Sequence, residues 1–300
     1  MSVDMLQDRI RKIKNPTVVN MFALPEHIPP QIMEVSEDFI QARQAYFTEL
    51  LDGLKGMIPA VRFSYPSFSL GGSAGLDSLS FLLQHAKKLG YYVLLDGVEA
   101  LSVCEAEYNA QQLMGEKCPF SYDGLVMPAY IGSDGLRPYF SVMKDNGKDL
   151  FVVVRTGNRS ATELQDLLTG TRLMHLAAAD IVDRFTRPLM TKCAYSQVAM
   201  MAGASSTSSL QALRSKYKEA FILIDGFDYS NANAKNCAPA FDQLGHGAAA
   251  CAGLSVIAAW KENEGTTYPI ANEGTTDYLL AAVGAVQRHK KNLLRYITIL

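Results

Sequence analysis

The sequence predicts an α/β protein built as a single (β/α)8 TIM barrel, and three observations support this. Eight short apolar runs recur along the 300 residues, with helix-length stretches between them. Several runs are continuously hydrophobic, as in residues 151–154, which is typical of strands covered on both faces of a parallel sheet. Eight strand-then-helix units in about 250 residues match the size of such a barrel. An open doubly wound sheet is the alternative, although no Gly-x-Gly-x-x-Gly fingerprint follows the first run.

The predicted strands are short and are each followed by a longer amphipathic or polar stretch. They cover residues 17–22, 60–63, 91–95, 124–127, 150–155, 197–201, 221–224 and 248–251. Apolar spacing near 3.6 residues predicts helices within 31–54 and 164–185. A further helix is expected within 205–217, where Ser and Thr residues that can cap it precede the first leucines.

The chain is expected to form one domain over residues 1–300, because no linker-like segment divides it. An amphipathic helix is predicted at about 3–14, ahead of the first strand. After the eighth strand, residues 262–276 are predicted to form a polar loop, which carries Asn-Glu-Gly-Thr-Thr twice. This echo is too short to be a structural repeat unit.

Composition excludes several classes of partner. A net charge of −2 and a pI near 6.2 give no electrostatic reason to expect nucleic acid or an anionic membrane. No apolar run approaches the roughly 20 residues that cross a bilayer. Five cysteines without a CxxC pair predict free thiols in a reducing cytoplasm. The five histidines are equally dispersed, so we do not expect a metal site, and no cofactor is predicted.

In a (β/α)8 barrel the chemistry lies at the carboxyl ends of the strands. The predicted strands therefore nominate one group of candidate site positions. These are Phe22, Arg62, Asp96, Met127, Arg155 with Thr156 and Asn158, Gly203, Asp225 with Gly226, and Gly253.

Several sequence blocks resemble the bacterial type-2 branch of the orotidine 5'-phosphate decarboxylase family. Residues 15–19 are similar to that family's opening strand, and residues 130–134 to its fourth strand-to-helix loop. The most specific match joins residues 154–158 to residues 164–167, which together resemble the branch's fifth-strand signature. The resemblance implies a TIM barrel that converts orotidine monophosphate to uridine monophosphate in pyrimidine biosynthesis. It also implies a homodimer with the active site at the subunit interface.

The chain departs from that family where the chemistry should be. The family uses a lysine after strand two and Asp-x-Lys-x-x-Asp after strand three, an array that disfavours the substrate carboxylate and stabilises the developing carbanion. Here Asp96 keeps the first aspartate, whereas Val98 stands at the central lysine and Leu101 at the second aspartate. Arg62 stands at the strand-two lysine, and a guanidinium with a pKa above about 12 is a poor proton donor.

The ribose and phosphate positions implied by the resemblance are also changed. Phe22 stands at the ribose-contacting aspartate, and Leu254 aligns with the phosphate-binding arginine. Asp225 and Asp228 lie in a seventh loop that is normally glycine-rich, where they would repel a phosphate. We therefore predict a barrel without orotidine monophosphate decarboxylase activity.

Three alternatives remain open from the sequence. The chain is a non-catalytic structural or regulatory barrel that associates with itself or with a partner, an enzyme acting on a less anionic small molecule through Arg62, Asp96 and Arg155, or a genuine decarboxylase with an unusual site. Arg155, Thr156, Asn158, Gly203 and Gly226 are predicted to bind a polar ligand, and their alternative role is to support the loops. Because strands two and three are neighbours, Arg62 and Asp96 are predicted to form a salt bridge.

Overall fold

The computed structural model describes residues 2–97, 100–228, 232–263 and 276–300. It confirms the predicted (β/α)8 barrel: eight parallel strands close on one another in the order β1-β8-β7-β6-β5-β4-β3-β2. The strands are β1 (Thr17–Met21), β2 (Ala60–Ser64), β3 (Tyr92–Asp96), β4 (Gly124–Pro128), β5 (Asp149–Arg155), β6 (Val198–Gly203), β7 (Ile222–Asp225) and β8 (Ala248–Ala252). Every barrel strand lies where the sequence predicted one.

Helices follow the strands around the outside of the barrel. They are α1 (Ser2–Ile13), α2 (Pro30–Val35), α3 (Phe39–Gly53), α4 (Tyr65–Ser69), α5 (Gly72–Leu89), α6 (Val103–Asn109), α7 (Gly132–Asn146), α8 (Ala161–Leu164), α9 (Met174–Asp183), α10 (Thr207–Lys216), α11 (Ala234–Cys237), α12 (Leu254–Ile257) and α13 (Asp277–Leu293). Short 3-10 turns occupy Pro25–His27, Arg187–Leu189, Ala238–Ala240 and Ala259–Asn263, and a π-helical turn, Ala110–Met114, extends α6.

Two stretches predicted as helical are interrupted in the structure. The stretch 31–54 divides into α2 and α3, because Asp38 is extended and its carboxylate accepts a hydrogen bond from the Gln41 amide at 2.8 Å, which caps the start of α3. The stretch 164–185 contains an antiparallel hairpin, Leu168–Thr169 with Arg172–Leu173, turned by Gly170 at φ 68°. The helical spacing of apolar residues continues through both interruptions, so the spacing alone did not reveal them.

The core fills the barrel and the layer between strands and helices. All residues of β3, β6 and β8 are buried, as expected for parallel strands covered on both faces. At the amino-terminal end, α1 buries Val3, Leu6 and Ile10. The side chain of Gln7 accepts a hydrogen bond from the Gly247 amide at 2.9 Å, just before β8. The opposite end of the barrel, where the strands finish, carries the candidate site.

Within the described residues, no helix combines the length and apolar character needed to cross a membrane. The predicted polar loop at 262–276 falls almost wholly outside the described residues, which resume at Thr276 just ahead of α13.

Candidate functional site

Arg62 links two carboxylates at the barrel mouth. Its Nε donates to Oδ2 of Asp96 at 2.5 Å, and its Nη1 donates to Oδ1 of Asp225 at 2.8 Å. The predicted Arg62–Asp96 salt bridge is therefore confirmed. Strands β2 and β7 are not neighbours in the barrel, so the contact between Arg62 and Asp225 crosses its interior. Sequence reasoning placed Asp225 at the mouth but missed this pairing.

The three side chains are largely withdrawn from solvent, with exposed fractions of 15% for Arg62, 12% for Asp96 and 17% for Asp225. Burial alone would lower the pKa of Arg62, but the charges of Asp96 and Asp225 outweigh it and raise that pKa. Burial raises the pKa of Asp96. Arg62 offsets this only in part, and the nearby negative charge of Asp225 raises that pKa further. Arg62 is thus held charged and cannot serve as a proton donor.

Two acceptors beside Arg62 have no hydrogen-bond donor among the described residues. They are Oδ1 of Asp96 and Oδ1 of Asn20, and both atoms are buried. Asn20 lies on β1 directly opposite Arg62 in the β1–β2 register. A buried acceptor without a donor costs roughly 1–3 kcal/mol, so both atoms mark places where an incoming donor would be favoured.

A second carboxylate network lies between β7 and β8. Oδ2 of Asp228 accepts hydrogen bonds from the Gly253 amide at 2.7 Å, the Ser255 amide at 3.3 Å and the Ser255 hydroxyl at 2.7 Å. Nε2 of His289, from α13, lies 2.8 Å from the same hydroxyl. Burial lowers the pKa of His289, which favours the neutral ring. Nothing in the sequence pointed to Ser255 or His289, because no motif or spacing connects them.

The residues predicted to bind a polar ligand after β5 are engaged with one another. Arg155 makes a two-pronged ion pair with Asp166, with Nε–Oδ1 and Nη2–Oδ2 distances of 2.9 Å each. The Thr156 amide donates to the side chain of Gln165 at 2.7 Å, and the Thr156 hydroxyl donates to Asn158 at 2.5 Å. The two blocks of the fifth-strand signature therefore hold each other together. Their role in ligand binding stays a prediction.

The two glycines predicted in the site have different structural roles. A Cβ atom at Gly203 would lie only 2.2 Å from Cα of Gly157, so the end of β6 packs directly against the β5 loop. Gly226 has φ 63° and turns the chain immediately after Asp225. Gly203 thus packs against the loop that follows Arg155, whereas Gly226 forms the turn next to the carboxylate of Asp225.

The rim of the mouth is apolar and exposed. The exposed fractions are 38% for Phe22, 89% for Leu101, 87% for Tyr130 and 41% for Leu254. Val98, at the family's central lysine position, lies outside the described residues. Burial raises the pKa of Cys251 on β8, which leaves the thiol protonated and consistent with packing rather than nucleophilic chemistry. Across the described ranges, no three His, Cys, Asp or Glu side chains are grouped to hold a metal.

Comparisons with known proteins confirm the family resemblance. The chain is 26% identical over 246 residues to the orotidine 5'-phosphate decarboxylase of Rhodopirellula baltica, covering 80% of this chain and 82% of that protein. It is 23% identical over 288 residues to the protein of the same name from Petrotoga mobilis, covering 94% and 96%. No protein-family model matches the chain.

Solved structures show the same fold. The orotidine 5'-monophosphate decarboxylase of Plasmodium berghei superposes with a TM-score of 0.76 at 10% identity, covering 98% of this chain and 99% of that one. The Leishmania donovani OMP decarboxylase gives a TM-score of 0.68 at 18% identity, covering 96% and 99%. At these identities the superpositions establish the barrel alone.

Proposed function

We propose that this relative of the orotidine 5'-phosphate decarboxylases does not decarboxylate orotidine monophosphate. The observation that carries the proposal is the position of Arg62, which stands at the family's strand-two lysine and is held between Asp96 and Asp225. A decarboxylase must protonate a carbanion, and an arginine whose pKa two carboxylates raise cannot supply that proton. Its charge is already neutralised and is not free to stabilise the carbanion.

The phosphate side of the site supports the same proposal. The backbone amides of Gly253 and Ser255, which open α12 next to the family's phosphate position, are occupied by the carboxylate of Asp228. An incoming phosphate would meet that negative charge and the apolar side chain of Leu254. The binding energy that the family draws from the phosphate would therefore be missing.

Exposed apolar side chains on the mouth face support a homodimer, as the resemblance implies. Leu70 is 90% exposed, Leu101 89% and Tyr130 87%, and all three follow barrel strands on the mouth side. The free cysteines of the described chain support a reducing, cytoplasmic location. Sedimentation velocity would test the dimer, and a monomer at micromolar concentration would contradict it.

The activity proposal is tested by direct assay. Purified protein should release no carbon dioxide from orotidine monophosphate above background, while the Rhodopirellula baltica relative, assayed in parallel, serves as the positive control. Rescue of a pyrimidine-requiring bacterial strain would overturn the proposal. The variant Val98→Lys with Leu101→Asp should also remain without high activity, because Phe22, Leu254 and Asp225 are unchanged.

An enzyme with altered chemistry is the second candidate. The raised pKa of Asp96 favours it, because a carboxyl that keeps its proton to higher pH can act as a general acid. Of the three residues assigned to this alternative, Arg62 and Asp96 lie together, whereas Arg155 is paired with Asp166. A small molecule that binds at the mouth and is turned over only when Asp96 is intact would establish this function.

A further inference from the structure

The polar groups at the barrel mouth carry an excess of negative charge. Asp96, Asp225 and Asp228 lie at or just beyond the ends of β3 and β7, and Arg62 is the cation placed among the first two. The resemblance implies a family site that is cationic at its phosphate end. In this chain the three carboxylates outnumber the arginine placed among them, which disfavours the binding of an anion and favours the binding of a cation.

The buried acceptors that lack a donor at the mouth also favour a cationic ligand. Asp96 is buried, and its Oδ1 has no donor among the described residues. Oδ1 of Asn20, on a different strand, is equally without a donor within the described chain, and so is Oδ1 of Asp228. Three buried acceptors call for a ligand that brings donors, and an alkylammonium group brings three donors and no acceptor.

The rim adds a requirement for apolar surface. Phe22 and Leu254 replace polar family positions and remain 38% and 41% exposed. Tyr130, at 87% exposed, adds a second aromatic ring after β4. Aromatic faces are favourable neighbours for a cation and for an apolar ring alike.

We propose that the mouth of this barrel binds a protonated amine carried on an apolar body. The ammonium group would lie against Asp96, Asp225 and the Asn20 amide, and the apolar body against Phe22 and Leu254. This inference rests on the proposed function, because it names the ligand class of the same site.

A charge series with a constant apolar body tests the inference. Calorimetric titrations would use benzylamine, benzyl alcohol and benzyl phosphate against the intact protein at pH 7. Benzylamine should bind about tenfold more tightly than benzyl alcohol, the ratio expected for one charge-assisted hydrogen bond. Benzyl phosphate should bind more weakly than both. Equal affinity for amine and alcohol, or tighter binding of the phosphate, would overturn the inference.

Variants locate the binding. Asn20→Leu removes a buried acceptor without changing the charge, and Asp225→Asn removes one charge. Each should weaken benzylamine several-fold and weaken benzyl alcohol by a smaller factor, because the hydroxyl donates one uncharged hydrogen bond. Asp145→Asn, at an exposed position on α7, removes the same charge elsewhere and should have no effect. Thermal melting would confirm that each variant is folded, and loss of binding in Asp145→Asn would contradict the assignment.

The outcome is separable from that of the activity assay. If orotidine monophosphate is not turned over and benzylamine binds no more tightly than benzyl alcohol, the absence of decarboxylation stands and the amine inference falls. If orotidine monophosphate is turned over, the proposed function falls whatever the amine does.

Discussion

Two arginines at strand ends of this barrel meet carboxylates in different ways. Arg155, at the end of β5, faces Asp166 with matched two-pronged geometry and also donates to Ser205. Arg62, near the end of β2, divides one guanidinium between Asp96 and Asp225 and leaves an oxygen of Asp96 without a donor in the described chain. A matched pair holds a loop in place. An arginine shared by two carboxylates leaves a carboxylate oxygen without a donor. We therefore place the ligand site beside Arg62.

Substitution of each arginine should give the largest loss of stability and should distinguish the Arg62 region from the Arg155 region. Arg62→Met leaves two largely buried carboxylates without a cation and should lower the free energy of unfolding by about 3–5 kcal/mol. Arg155→Met leaves only Asp166, whose side chain is 25% exposed, and should cost less, about 2–3 kcal/mol. Urea unfolding would measure both losses. A larger loss for Arg155→Met would reverse the comparison.

Removal of the charges together should recover part of that loss. Arg62→Met combined with Asp96→Asn should cost less than the two single substitutions added, by about 1–3 kcal/mol, because Asp225 is then the one carboxylate of the pair left without the arginine. Adding Asp225→Asn should recover more. The matching cycle of Arg155→Met with Asp166→Asn serves as the reference pair. Strict additivity around Arg62 would mean that its ion pairs contribute nothing.

The two carboxylates should respond to pH with opposite signs. Hydrogen bonding from Arg155 lowers the pKa of Asp166, so its stabilisation is complete above the unfolded value near 3.8 and is lost as pH falls below it. The pKa of Asp96 is raised by burial, so parent stability declines as pH rises through the window above 3.8. Asp166→Asn should therefore be more damaging at pH 6 than at pH 3. Asp96→Asn should lower the free energy of unfolding less at pH 6 than at pH 3. Urea unfolding at several pH values would measure both differences.

The smallest effect is expected at Asp225. Asp225→Asn removes the carboxylate that competes with Asp96 for Arg62, while the amide can still accept a hydrogen bond. Stability should change by less than about 1 kcal/mol, and the pKa of Asp96 should fall because a neighbouring negative charge is gone. Carboxyl NMR titration of Asp96 would detect the fall. An unchanged pKa would show that the two acids do not interact.

The fold could be predicted because its determinants are local. Each strand is a short continuous apolar run, and burial on both faces makes such runs recognisable without knowledge of their partners. The interruptions at Asp38 and Gly170 were missed because a cap or a left-handed turn depends on one residue, whereas apolar periodicity averages over many.

The site was only partly predictable. Asp96 ends β3 and Arg62 lies near the end of the neighbouring β2, so strand order places both side chains at the same end of the barrel, within the reach of arginine. The contact with Asp225 depends on the width of the barrel interior and the reach of arginine, neither of which the sequence states. The hydrogen bond between Ser255 and His289 joins residues 34 positions apart on separate helices and required the packed structure.

The approach of Gly203 to Gly157 constrains how this barrel can be engineered. Because a side chain at Gly203 would collide with the backbone of Gly157, the strand end and the preceding loop must be exchanged together. Arg155 and Asp166 extend that dependence to the far side of the loop. A chimaera that imports residues 155–167 from a relative should therefore also import position 203. Libraries that vary position 203 alone would be depleted of folded members, because a side chain there would collide with the backbone of the β5 loop.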